Sequence, residues 1–239
     1  MQRNQHGEYM LQLTQLWSMN CYLVREDDGL TLIDAGMAGA APAILAAAQD
    51  LGAPIRRIVL THAHMDHVGS LDALAAALPE ATVAIGTREA RFLAGDLSLD
   101  PSESYARLRG GFPKVVTRPG LLLNDGDRVG SLRAVAAPGH TPGQMAFFDT
   151  RDGSLIAGDS FQTLGGMAVA GVMRPLFPLP ALATWSLQAA LETAHRLRDL
   201  GPSRMGVGHG RVLEAPAAAM DAAIMQAEAR VRGVVSSGS

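Results

Sequence analysis

The segment THAHMDHVG (61–69) places His62, His64 and His67, three of the chain's seven histidines, beside Asp66. Imidazole nitrogen and carboxylate oxygen are the ligands that zinc and similar divalent ions take. His62 and His64 alternate at the end of an apolar run that reads as a strand, so both can face one ion. Asp66 and His67 follow one turn later and can face a second. Four further ionisable residues share a local setting, at the end of an apolar strand and close to glycine: Asp34 in LIDAG, His140 in APGHTPG, Asp159 in IAGDS and His209 in GVGHG. Such strand ends gather at one edge of a sheet, where loops meet. The two oxygens of Asp159 could bridge two ions. Two ions held ~3.5–4 Å apart lower the pKa of a trapped water towards ~7, which yields hydroxide at neutral pH without a dedicated base. The glycines beside His140, Asp159 and His209 allow turns tight enough to bring backbone close to the ions.

The elements that must position these residues are legible from periodicity and turn residues. YMLQLTQL (9–16) alternates as a strand, and CYLVRE (21–26) and GLTLIDAG (29–36) read as a hairpin around Asp27-Asp28-Gly29. Residues 42–51 read as a helix with Pro42 in its first turn and Gly52 past its end. RRIVLTH (56–62) is a strand entering the histidine cluster, 68–77 a helix leaving it, ATVAIG (81–86) a strand, and Thr87 caps a helix to about 94. Strands resume at 132–140, 144–149 and 154–160. Thr184 is expected to cap a helix to about 200, followed by a strand at 204–210 and a helix at 216–231, with a frayed VVSSGS tail. Two irregular stretches interrupt this order. Residues 95–120, rich in Pro and Gly, form a long connection of the kind that covers sites, and the apolar stretch 161–181 follows Asp159 directly and is expected to line a pocket. Two runs of strands, each followed by helices, suit a pair of sheets packed face to face with helices outside.

Composition sets bounds. The 239 residues are 48% hydrophobic, enough for one large core, and the formal charge is −3 with no basic block, which argues against nucleic acid as the main partner. Lys114 is the only lysine, so a catalytic lysine has one candidate. With Cys21 alone, neither an internal disulfide nor a cysteine zinc site can form; the cytoplasm is the default expectation. The first residues are polar and interrupted, unlike a signal peptide, and no apolar run approaches the ~18 residues of a membrane span. His195, between arginines, reads as a solvated helix-face residue, His6 as part of a mobile terminus, and Cys21 as a small core hydrophobe.

On these motifs the chain resembles the metallo-β-lactamase superfamily, whose T-H-x-H-x-D-H-x-G signature stands here at 61–69. LIDAG (32–36), GHTPG (139–143), AGDS (157–160) and GHG (208–210) stand in the family's order. The resemblance implies an α/β fold, an αβ/βα sandwich of two mixed β-sheets face to face with helices on both outer faces. It implies a single domain over 1–239, with 95–120 and 161–181 as loops over the site. It further implies that His62, His64 and His140 hold one ion, that Asp66, His67 and His209 hold the other, and that Asp159 bridges them. Asp34 would accept hydrogen bonds that fix the histidine loop. Asp66 is also the candidate catalytic residue. Zinc is the first expectation for both ions, and the ligand set also accepts manganese, iron or cobalt.

A bridging hydroxide attacking a carbonyl makes the expected activity hydrolysis of a small lactone, ester or thioester. The lactam-cleaving branches carry Cys or Ser where Asp159 stands, so a true β-lactamase is not expected. Glyoxalase-II-like thioesterases hold glutathione with late Lys, Arg and Tyr, and after residue 151 this chain has neither Lys nor Tyr. Homoserine-lactone hydrolases have a Tyr shortly after the bridging Asp; here Phe161 and Gln162 follow, which leaves Tyr22 or Tyr105 as substitutes if folding brings one close. The alternatives are a glyoxalase-II-like thioesterase and a mononuclear iron dioxygenase of the persulfide type. Flavin-linked diiron relatives carry Glu in the first motif, where Ala63 and Met65 flank His64 here. A non-catalytic metal-binding protein has no need of so complete a ligand set. The expected partner is a small molecule, with a homodimer as an option.

Overall fold

A computed structural model of the chain describes residues 1–103 and 106–237. The first sheet opens with four antiparallel strands, β1 (Gln2–His6), β2 (Met10–Gln15), β3 (Met19–Glu26) and β4 (Gly29–Ile33). β5 (Ile55–Leu60), β6 (Thr82–Gly86) and β7 (Leu121–Leu123) then add in parallel, so the spatial order follows the chain. Each parallel step needs a crossover. These contain α1 (Ala41–Asp50), then α2 (Met65–Val68) with α3 (Leu71–Ala77), then α4 (Thr87–Leu93).

The second sheet begins with β8 (Arg128–Val129), β9 (Leu132–Ala136), β10 (Met145–Asp149) and β11 (Ser154–Ile156), all antiparallel neighbours. The chain then leaves the sheet through a 3-10 turn (Gly158–Ser160), the hairpin β12 (Phe161–Gln162) and β13 (Ala168–Val169), α5 (Leu179–Leu182) and α6 (Leu187–Asp199). It returns as β14 (Arg204–Gly206), parallel to β11, and β15 (Leu213–Glu214), and ends in α7 (Ala217–Ser237).

The period-2 alternation of strand side chains builds three apolar layers. Tyr22, Val24 and Ile33 of the first sheet meet Leu132, Ala134, Met145 and Phe147 of the second in the layer between the sheets. Their alternates Cys21, Leu23, Leu30 and Leu32 face outward onto Ile44 of α1, Leu71 and Leu74 of α3 and Phe92 of α4. On the far side, Val135, Ala146, Leu155 and Met205 pack against Ala190, Leu191, Ala194 and Leu197 of α6 and Met220, Ala223 and Ile224 of α7. The result is helices, sheet, sheet, helices: the αβ/βα sandwich. No helix among the described residues is long and apolar enough to cross a membrane.

Several local expectations are corrected. The polar N-terminus is strand β1, paired along its length with β2, and His6 Nε2 lies 3.0 Å from Gln12 Oε1, so His6 belongs to the sheet and not to a mobile terminus. Polar alternation on an exposed edge strand left no hydrophobic signal there. The helix expected at 68–77 is α3, which starts only at Leu71; the turn α2 precedes it, and non-helical backbone at Ser70 (φ −104°) separates the two, next to Gly69, where a Cβ would strike the Ala38 nitrogen at 2.5 Å and the Met65 carbonyl at 2.6 Å. Ser186, not Thr184, caps α6, accepting from the Ala189 amide. α7 continues through most of the tail expected to fray; Gly238 and Ser239 lie outside the described residues. His195 is half exposed beside Glu228, and Cys21 is buried in the core.

Phe147 fills the layer between the sheets with no exposure, whereas Leu176 is 82% exposed. Urea unfolding should show a loss of about 3–5 kcal/mol for Phe147→Ala, and a change within about 0.5 kcal/mol for Leu176→Ala.

Candidate metal centre

Strand direction brings the ionisable residues together. β4 and β5 are parallel, so Asp34 and His62, each just past its strand, emerge at one edge of the first sheet. β11 and β14 are parallel in the second sheet, and β9 runs the same way because β10 is antiparallel to both β9 and β11. Asp159, His209 and His140 therefore emerge together as well. Backbone hydrogen bonds sew the two edges to each other: Met145 N–H to the Thr61 carbonyl at 2.9 Å, and Asn20 N–H to the Gly208 carbonyl at 2.9 Å.

Asp34 anchors the first loop. Non-glycine backbone at φ +62° turns its buried carboxylate under the loop. Oδ1 accepts the Thr61 amide at 2.8 Å, and Oδ2 accepts the Thr61 hydroxyl at 2.8 Å and His67 Nδ1–H at 2.7 Å. Because the Thr61 hydroxyl donates to Asp34, it accepts from His62 Nδ1 at 3.0 Å. These bonds assign the tautomer of His62, which presents a bare Nε2, and turn His67 Nε2 towards Asp159. Among the described residues neither Nε2 has a hydrogen-bond partner, and neither has Asp159 Oδ1, although all three are buried. His62, His67 and Asp159 form one group whose ligand atoms lie within 4.8 Å of one another.

Two other groups flank this one: His62, His64 and His140, and Asp66, His67 and His209. His64 Nε2 lies 2.9 Å from the Arg109 carbonyl, which holds its proton and leaves Nδ1 bare. His140 Nδ1 lies 3.1 Å from the Thr184 hydroxyl, which itself donates to the Pro180 carbonyl at 2.7 Å, so His140 Nε2 is bare. The two bare nitrogens face each other at 3.0 Å. Lone pairs that close repel, and a cation between them reverses the sign. Asp159 stands between the groups. Its Oδ1 is 3.4 Å from His67 Nε2, and its Oδ2 is 3.4 Å from His140 Nε2 and 3.1 Å from His209 Nε2. An unsatisfied buried polar atom costs about 1–3 kcal/mol. Three such atoms in one group fit a site that divalent cations complete.

Electrostatics divides the cluster into two halves. Burial pushes His62 and His64 down and His140 down to about 3, so these imidazoles keep their lone pairs at neutral pH. Burial opposes charge on His67 too, but the carboxylates of Asp34, Asp66 and Asp159 outweigh it and raise the ring well above its ordinary value. His209 is lifted against its burial to about 9, chiefly by Asp159 and then Asp66. Burial also opposes ionisation of Asp66 and Asp159; the neighbouring imidazoles, His67 foremost at Asp66 and His209 at Asp159, prevail and hold both below the usual carboxylate range. One half is neutral and nucleophilic towards a metal, and the other carries compensating charge.

All seven residues singled out from the sequence, with Asp34 beneath them, thus lie in one cluster. Tyr22 does not reach the pocket: its hydroxyl donates to the Val207 carbonyl at 2.6 Å and supports the loop that carries His209. Tyr105 lies outside the described residues. Gly208 has no room for a side chain, since a Cβ would stand 1.9 Å from Asp159 Oδ1. Gly110, at φ +86°, lies close against the His64 ring, where a Cβ would stand 2.4 Å from Nε2, and Met65 N–H donates to the Gly111 carbonyl at 2.9 Å. Reasoning from spacing missed Glu89, a buried carboxylate in α4 that accepts from the Ala63 and Gly143 amides and the Thr141 hydroxyl. Its short motif, TREA, resembles any helix start.

The cluster floors a cavity of about 280 Å³ walled by Met19, Met37, Met65, Phe177, Leu179 and Pro180. No Lys or Arg lines it among the described residues. At its rim Trp17, 72% exposed and at φ +58°, meets the Phe177 ring edge-on at 6.0 Å.

Comparison with known proteins agrees with this geometry. "Uncharacterized protein YobT" of Bacillus subtilis is 49% identical over 214 residues, 89% of this chain and 92% of that one. A hydroxyacylglutathione hydrolase of Aeromonas hydrophila is 30% identical over 151 residues, 60% of this chain and 47% of its own length. The solved structure of TTHA1623 in a di-iron-bound form shares 27% identity at a TM-score of 0.63, covering 89% of this chain and 97% of that one. The family model of the metallo-beta-lactamase superfamily matches residues 15–209, the span that holds Asp34 and all seven of the clustered side chains, and the chain belongs to that superfamily.

Proposed function

We propose that the protein is a dinuclear metal-dependent hydrolase that cleaves the ester or lactone bond of a small apolar substrate, with zinc in both positions. His62, His64 and His140 would hold one ion and Asp66, His67 and His209 the other, with Asp159 available to both. The observation that carries this reading is the carboxylate of Asp159, whose two oxygens lie within 3.4 Å of imidazole nitrogens from both groups. A pair of divalent ions in such a cage supplies an activated water as nucleophile and polarises a carbonyl oxygen.

The chain's own residues then define what enters and how it is oriented. The three methionines, Phe177, Leu179 and Pro180 exclude water and accept an aliphatic or aromatic acyl group. Asp66, the least buried of the proposed ligands, lines the cavity and is placed to orient the attacking water. A glutathione thioester is a second reading, supported by the similarity to the Aeromonas hydroxyacylglutathione hydrolase. Against it stands the lining of the cavity: the carboxylates of glutathione call for cationic side chains, and none lines it among the described residues. A mononuclear iron dioxygenase needs fewer ligands than the three groups supply.

Three outcomes test the reading. Purified protein loaded with zinc should carry two equivalents by elemental analysis and hydrolyse aryl esters and lactones with kcat/KM above that for S-lactoylglutathione. One bound iron with oxygen uptake, or a preference for the glutathione thioester, would reverse the order of readings. Asp159→Ala should lose metal and activity together, and full activity in a metal-free Asp159→Ala protein would end the proposal. Asp34→Asn should weaken metal binding about 10–100-fold in chelator competition, because an amide cannot accept from both Thr61 and His67 at the same oxygens.

A further inference from the structure

The buried carboxylate of Glu89 belongs to no ligand group, yet it touches both loops of one. Glu89 sits in α4 with no exposure. Oε2 accepts the amide N–H of Ala63, the residue between His62 and His64, at 3.0 Å. Oε1 accepts the hydroxyl of Thr141, the residue after His140, and the Gly143 amide at 3.0 Å. One side chain therefore fastens the loop that leaves the first sheet to the loop that leaves the second. The residues it fastens adjoin the three members of the His62, His64 and His140 group.

Close packing fixes the seat. A Cβ at Gly143 would stand 2.6 Å from the Glu89 nitrogen, so only glycine lets the His140 loop approach α4 this nearly. All three partners donate, and two of them are backbone N–H groups that cannot turn away. A carboxylate accepts from all three; an amide must set its own NH2 against at least one. Burial raises the Glu89 carboxyl to about 7, and no cationic side chain forms an ion pair with it among the described residues. An acid retained at that cost is held by what it positions.

We propose that Glu89 is a positioning residue that sets the separation of the His62–His64 loop from the His140 loop, and through it the grip of that histidine group on its ion. The proposal rests on the dinuclear reading above. The test uses the full chain loaded with zinc, and separately with cobalt(II), in wild type, Glu89→Gln and Thr141→Val. Release to excess chelator is followed with time, beside the cobalt absorption spectrum and the separate kcat and KM of ester hydrolysis.

In Glu89→Gln one of the two ions should leave about ten times faster or more while the other keeps its wild-type rate. The cobalt bands should shift, and kcat should fall about 10–100-fold with KM within about 3-fold. Thr141→Val, which removes only the hydroxyl, should move the same readouts by less. A residue that serves stability alone would lower the melting temperature and leave release and spectrum unchanged; that result in folded Glu89→Gln overturns the proposal. If Glu89→Gln does not fold, wild-type release and spectrum in Thr141→Val overturn it instead. Wild-type protein that takes up no ions would remove the dinuclear reading, and with it any group for Glu89 to position.

Discussion

Bare imidazole nitrogens and carboxylate oxygens crowded together away from water are the constraint around which this molecule is organised. The lone pairs of His64 and His140 face each other at 3.0 Å, and among the described residues His62 Nε2, His67 Nε2 and Asp159 Oδ1 have no hydrogen-bond partner. Such a cluster persists only because its surroundings over-determine it. Asp34 and Thr61 hold the first loop by four hydrogen bonds, Thr184 and Arg109 orient the outer histidines, and Tyr22 and Asn20 brace the strand end that carries His209. The sandwich supplies the rigid platform. Two sheets, each with parallel strands ending at the same edge, deliver ligands from both sides of a shared apolar layer.

Much of this was legible in the linear order of residues. The spacing at 61–69 carries its own chemistry, since alternation on the extended segment just past β5, followed by one helical turn, sets His62 and His64 apart from Asp66 and His67. Asp34, His140, Asp159 and His209 were recognisable because strand-end acids and imidazoles beside glycine have few other reasons to recur. The pairing of two sheets with helices outside was legible too, from the order of strands and helices along the chain.

What escaped has physical causes. β1 is an exposed edge strand whose polar residues give no periodic signal. β7, β8 and β15 are two or three residues long, held by neighbours and not by intrinsic preference. Thr184 and Ser186 are equally good caps in sequence, and the choice between them is made by His140, which engages the Thr184 hydroxyl. Glu89 was invisible because its role lies in tertiary contacts with Ala63, Thr141 and Gly143, distant along the chain and meeting only when the sheets dock.

The origin of the ligands in both sheets bears on how the protein reaches its final form. His62 and His209 are joined only after a long stretch of backbone has been closed, and closure of such distant segments is a late and slow event. Neither half of the sandwich can capture an ion in the intended way by itself. In the dinuclear reading a cation would therefore act as a latch on an already docked pair of sheets and not as the seed around which the chain collapses.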